Sequence, residues 1–258
     1  IAGNVRMGLY LGYPLARLLR TPFLGDVSDP VTDIADLPGP LYRLLERYEW
    51  LVLRRADAAV FVHEETYQEA TRRGIDAVHL PNAVDYEAFA DPPEEVIEET
   101  RRLLERSSID PEAPIAIYAG ILDAVHHITD IVDAARETSE WEFVFIGEGS
   151  LEARLEADSE TIENVHYLGS FEHRLVPGFL WHADVGFSFK DAQETLKLKE
   201  YGAAGLPIIV QPGALSERYD EDELVFVEPD SEAISATLSR LREDEVRESY
   251  AEVGQSIG

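Results

Sequence analysis

The sequence predicts an α/β protein made of two Rossmann-like, doubly wound parallel-sheet domains, the first of them incomplete. Short β-branched runs alternate with amphipathic stretches from end to end, the pattern of parallel sheets covered by helices. Six such runs fall between Ile115 and Glu228, the strand content of a complete doubly wound domain. Only three precede Asp91, too few to build a sheet whose two faces are both covered. A self-sufficient small lid domain is the alternative for that first part, and a missing beginning is the favoured reading.

Taken in order, residues 21–27, 58–63 and 77–80 read as strands, and 40–55 and 64–73 as helices, the second stopped by Gly74. Residues 91–110 carry a charged helix (Glu94, Glu95, Glu98, Glu99, Arg101, Arg102, Glu105) with few large apolar positions. The expected division is therefore a partial first domain over 1–90, a connecting charged helix over 91–112 and a second domain over 113–258. In the second domain, strands are expected at 115–119, 142–146, 165–168, 185–188, 208–211 and 224–228, most of them separated by helical patterns.

Composition narrows the function. The chain has 258 residues, 45% of them apolar, and no cysteine, which excludes disulfides, thiolate metal sites and a cysteine nucleophile. It carries 51 acidic against 22 basic residues, a net charge of −29 spread over nearly every helix. Nucleic acid is not an expected partner, since no basic face could release its counterions. Such an acidic, lysine-poor chain suits a salt-loaded cytoplasm, where the screening length at molar salt is about 3 Å; an ordinary acidic protein is the alternative. Residues 6–24 break the pattern: Arg6, Arg17 and Arg20 lie in an apolar stretch and no acid occurs before Asp26. This segment reads as a core-facing element beside a binding cleft or as a peripheral membrane contact, with the first favoured. Its arginines interrupt any transmembrane run, and their position inside and after the apolar stretch does not suit a signal peptide.

Open parallel sheets bind ligands at the carboxyl ends of their strands, where helix N-termini present N–H groups to anions. Three strand ends have that character: the first ends in Gly120, another in Gly147-Glu148-Gly149-Ser150, with Ser150 placed to cap the next helix, and a third in Phe189-Lys190-Asp191 before a helix starting near Glu194 or Thr195. The only three lysines of the chain, Lys190, Lys197 and Lys199, all lie within this last region. Such clustering reads as a small cationic pocket for a diphosphate, or as simple pairing with Asp191, Glu194 and Glu200. Lys197 and Glu200, three apart on a helix, share a face, so an ammonium and a carboxylate stand side by side for phosphate oxygens and vicinal hydroxyls.

The segment Leu196-Lys197-Leu198-Lys199-Glu200-Tyr201-Gly202-Ala203-Ala204-Gly205-Leu206-Pro207-Ile208-Ile209 resembles the K-x-x-E-Y-x-A-x-G-x-P-V-V stretch of glycosyltransferase family 4. Leu80-Pro81-Asn82-Ala83-Val84-Asp85 with Phe89 is similar to that family's P-N-G-V-D…F junction. Glu49 with Arg55-Ala56-Asp57-Ala58-Ala59-Val60-Phe61-Val62 is similar to its E…A-D-x-V-x-V-S stretch, with His63 in place of Ser. Asp26 and Asp29, Tyr118-Ala119-Gly120, Phe145 to Gly149 and Asn164 to Gly169 complete a resemblance running from about residue 21 to 241.

The resemblance implies a GT-B type fold, a nucleotide-sugar donor (UDP- or GDP-sugar) on the second domain, no metal, no cofactor, and retention of anomeric configuration. The acceptor side would be the first domain, its acceptor a glycan or a lipid-linked molecule at the cytoplasmic membrane face. It gives Glu200 the donor ribose, Lys197 with the N–H groups around Thr195 and Leu196 the diphosphate, and Gly120 the room for the acceptor to reach the anomeric carbon. Three positions depart from the pattern. A second glutamate is replaced by Ala192, an arginine by Ile121, and a lysine region by Ala124-Val125-His126-His127. Lys197, with Lys190 and a protonated His126 or His127, would then carry the leaving-group charge. Asp26, Asp29 and His63 read as structural, and no catalytic residue is named. A catalytically inactive glycosyltransferase-like binding subunit is the runner-up. A dinucleotide-dependent oxidoreductase ranks below it, because no G-x-G-x-x-G opens a helix after any strand.

Overall fold

A computed structural model describes residues 2–4, 8–28, 39–110, 112–190 and 195–242. The chain divides into two compact units, Ile1–Asn82 and Ala83–Gly258. Among the described residues no helix is long and apolar enough to cross a membrane.

In the first unit β1 (Ala2–Asn4), β2 (Leu24–Val27), β3 (Ala58–Phe61) and β4 (Ala77–His79) form a parallel sheet in sequential order. The sequence reading missed β1, whose Ala-Gly-Asn has neither β-branched residues nor an alternating pattern. Among the described residues a π-helical turn (Gly8–Gly12) leads into α1 (Tyr13–Leu19), ended by Arg20 in a left-handed cap, and α2 (Gly39–Leu53) and α3 (Glu64–Arg72) follow β2 and β3. Their core holds Leu9, Ala16, Phe23, Val52, Phe61 and Ala70.

Among the described residues of 6–24, Leu9, Ala16 and Phe23 are buried in this core and Tyr13 packs against it. Leu15, Leu18 and Leu19 are 48, 79 and 56% exposed, because a helix of seven residues turns only one face to the sheet, and Leu11 in the turn before it is 64% exposed. Two acidic residues of the first-domain motif make local hydrogen bonds. Buried Glu49 accepts the Tyr10 hydroxyl at 2.6 Å, and Asp57 accepts the Phe23 N–H at 2.8 Å. Asp26 is half-buried in β2, Asp29 lies outside the described residues, and His63 is the N-cap residue of α3 without a side-chain capping bond.

The second unit begins with α4 (Tyr86–Ala90), capped by Asp85, and α5 (Glu94–Arg106). The residues expected as a connection are thus packed into this unit: α4 and α5 place Phe89, Val96 and Leu104 in its core, despite the charge of their outer faces. All six expected strands are present: β5 (Ile115–Ala119), β6 (Glu142–Ile146), β7 (Val165–Tyr167), β8 (Val185–Phe187), β9 (Ile208–Val210) and β10 (Val225–Phe226). They pair in parallel in the order β7-β6-β5-β8-β9-β10, a doubly wound sheet whose direction of growth reverses between β5 and β8. The connecting helices are α6 (Ile128–Ala135), α7 (Glu152–Thr161), α8 (Val176–Trp181), α9 (Leu196–Ala203) and α10 (Ser231–Leu241).

The strand period of two sorts this unit's core into two layers. Ala116, Tyr118, Phe143 and Phe145 join the layer containing Ile131, Leu238 and Leu241; Ile115, Ile117, Val144 and Ile146 join the one containing Phe179, Leu198 and Tyr201. Strands buried on both faces in this way carry apolar residues at successive positions.

Candidate functional site

At the reversal point β5 and β8 pair only through Ala116↔Val185 and Ile117↔Gly186, and then diverge. The Ala119 N–H, released from the ladder, donates instead to the Tyr201 hydroxyl at 2.8 Å. That phenol reaches the strand end because Gly186 has no side chain: a Cβ there would lie 2.4 Å from the Tyr201 ring. Burial raises the pKa of Tyr201, so it stays a neutral phenol. Helix α9 is in this way keyed to the carboxyl end of β5.

Past β5 the backbone turns at Gly120 (φ +149°), and past β6 at Gly147 (φ +137°), both in the region that favours glycine. The two turns touch. Gly120 donates its N–H to the Ile146 carbonyl at 2.8 Å, Leu122 to Glu148 at 3.0 Å, and a Cβ on Gly147 would lie 1.8 Å from the Gly120 carbonyl oxygen. Ser150 does not cap α7: its N-cap residue is Leu151, and the Glu152 carboxylate accepts the Gly149 N–H at 2.6 Å.

Over this glycine floor stands the first turn of α9. Thr195 is its N-cap, accepting the Leu198 N–H at 3.3 Å, which leaves the N–H groups of Leu196 and Lys197 ahead of the first intrahelical bond. Lys197 extends across the sheet end. Its Nζ lies 3.4 Å from the centroid of the Tyr118 ring and 3.0 Å from where a Cβ on Gly120 would stand. Tyr118 is a platform the sequence reading passed over: buried, its hydroxyl donates to the Ile121 carbonyl at 2.7 Å and its face supports the ammonium. Burial draws the Lys197 pKa down from 10.5 to about 7, with Glu200 and Asp123 opposing and Lys190 adding to the fall.

Glu200, 9% exposed, faces the same glycine turns. One oxygen bonds His173 Nε2 at 2.8 Å, a residue without any local signal in the sequence, brought here by the turn between β7 and α8. Together with Gly120, Ile121, Gly147, Phe171 and His173, Glu200 lines a cavity of about 270 Å³.

The structure thus brings Gly120, Thr195, Leu196, Lys197 and Glu200 to one strand end. His126 joins them: it is close enough to Lys197 and Lys190 for both to act on it, packs edge-on to Tyr118 and holds Asp123 at 2.6 Å. Burial first, and then the two lysines, lower its pKa against the pull of Asp123. The free ring is therefore harder to protonate than an ordinary imidazole. His127 is turned to Asp130, at 3.1 Å, and to the Phe189 ring. Lys190 is exposed past the end of β8, while Ala192, with Asp191 and Glu194, lies outside the described residues.

Residues 113–244 match the model of a family described as glycosyl transferases group 1. The chain belongs to that family. No curated protein matches the sequence. Among solved structures, this group 1 glycosyl transferase is similar to Anabaena Alr3699/HepE, determined with UDP and with UDP-glucose. In the UDP complex the TM-score is 0.75 at 14% identity, over 100% of this chain and 72% of that one. It is also similar to sucrose-phosphate synthase from Thermosynechococcus elongatus (TM-score 0.70, 17% identity, 100% of this chain and 69% of that one). A glycosyltransferase from Rickettsia africae gives 0.68 at 13% identity, over 97% and 75%. At such identities the likeness shows the fold, which is the GT-B α/β fold expected from the sequence.

Proposed function

We propose that this group 1 glycosyl transferase moves a sugar from a UDP- or GDP-sugar to a glycan or lipid-linked acceptor, with retention and without a metal. One observation carries the reading: Lys197 and Glu200 leave one helix and converge on the glycine-floored end of β5. Breaking the bond between the anomeric carbon and the diphosphate leaves negative charge on the departing oxygen, and a cation waiting there lowers the barrier. Lys197 supplies that cation in this reading, assisted by Lys190, His126 and the N–H groups of Leu196 and Lys197, so no divalent ion is required. Glu200 accepts the ribose hydroxyls, and Gly120 lets the acceptor approach. The UDP and UDP-glucose held by the HepE structures support a uridine donor over a guanosine one.

Calorimetric titration of UDP-glucose, GDP-mannose and NAD at high salt, with and without EDTA, tests this. One nucleotide sugar should bind, EDTA should not matter, and Glu200→Ala should weaken binding roughly tenfold or more, the worth of a hydrogen bond to a charged group. Unchanged affinity in that variant would sink the site. Ile121, 63% exposed on the cavity wall where the related pattern carries arginine, favours a second reading, a binding subunit without turnover. Donor binding without donor hydrolysis or transfer would select it.

A further inference from the structure

From the way Glu200 is held, we infer that His173 is a positioning residue for nucleoside recognition, aiming the carboxylate so that its second oxygen reads a ribose diol. The inference rests on the donor site proposed above and adds to it a residue from outside the α9 segment.

A carboxylate as buried as Glu200 needs a partner. Its Oε1 takes a hydrogen from His173 Nε2 at 2.8 Å; since the acceptor is a carboxylate, Nε2 is the nitrogen that carries the proton. Among the described residues Oε2 has no hydrogen-bond partner, and the carboxylate borders the cavity that holds the Gly120 and Gly147 turns. One oxygen is therefore anchored and the other is presented.

His173 is itself oriented. It opens the short turn His173–Leu175, and its ring packs edge-on, 5.9 Å between centroids, against Phe89 of α4. The imidazole and the Glu200 carboxylate also border a second cavity of about 530 Å³, lined by Val84, Phe89 and Leu196 among others. The pair is thus the partition between two spaces, and the hydrogen bond decides which way the carboxylate turns.

A purely stabilising role explains less. The His173 side chain is 69% exposed and that of Glu200 11%, so the bond joins a buried carboxylate to a ring at the surface. What the contact does supply is direction: it removes one rotational freedom from the group facing the cavity.

The test compares UDP with 2′-deoxy-UDP, or the guanosine pair if that base is bound, by calorimetry on the full chain. The parent protein should prefer the ribonucleotide about tenfold, the worth of one hydrogen bond to a charged acceptor. His173→Ala should bring that ratio close to one. His173→Gln, whose amide N–H can still reach Glu200, should restore it. A ratio unmoved by His173→Ala overturns the inference, as does a parent protein that binds both nucleotides equally. Failure of the parent to bind any nucleoside diphosphate would instead remove the donor-site reading, and this inference with it.

Discussion

Lys197 is the side chain with the most chemistry at stake. It is poised between two protonation states because burial favours the neutral amine while Glu200 and Asp123 favour the ammonium. The free chain gives up this proton near pH 7, far below the ordinary 10.5, and a bound diphosphate would restore it. Binding should then take up a proton, and affinity for UDP-glucose should fall as pH rises above 7, by at most about tenfold per unit. Titrations between pH 6 and 8.5, in buffers of different ionisation heat, measure both effects; a flat profile without proton uptake would exclude Lys197 as the diphosphate cation. The pairing of Lys197 with Glu200 was legible in the sequence, since three residues along a helix place side chains on one face. Tyr118 and His173 were not. Each meets its partner only after the sheet is assembled, across 79 and 27 positions of chain respectively.

At the scale of elements, the meeting of the two glycine turns is the least tolerant point of the site. A methyl on Gly147 would lie 1.8 Å from a backbone oxygen that cannot swing aside. Gly147→Ala should therefore cost about 3 kcal/mol or more, combining backbone strain with the displacement of the β5 turn. Urea unfolding would measure it, and a loss below about 1 kcal/mol would mean that the turns relax more than their hydrogen bonds suggest. The strands of the second unit were readable because burial on both faces makes most of them short apolar runs. Strand β1 and the inward packing of α4 and α5 were not. The Ala-Gly-Asn of β1 has no β-branched or large apolar residue to mark it, and α5 buries only a narrow stripe beneath a conspicuously charged surface.

For the molecule as a whole, a net charge of −29 on 258 residues sets the conditions under which everything else holds. At low ionic strength the repulsion among carboxylates opposes the compact state, and screening removes it. The melting temperature should climb steadily between 0.1 and about 2 M KCl, where the screening length drops from about 10 Å towards a few ångströms. A melting point indifferent to salt would show that the acids are already offset by local pairs such as Arg174 with Glu99 and Glu172. Acidity on this scale also bears on the cavity beside β5, because a dianion approaching such a surface is repelled until it reaches the lysines. Among the described residues, those lining that cavity, from Ala119 to Glu200, all belong to the second unit. On the donor site proposed above, nucleoside choice belongs to the larger of the two units, so that changes in the first unit would retune what receives the sugar while leaving what supplies it untouched.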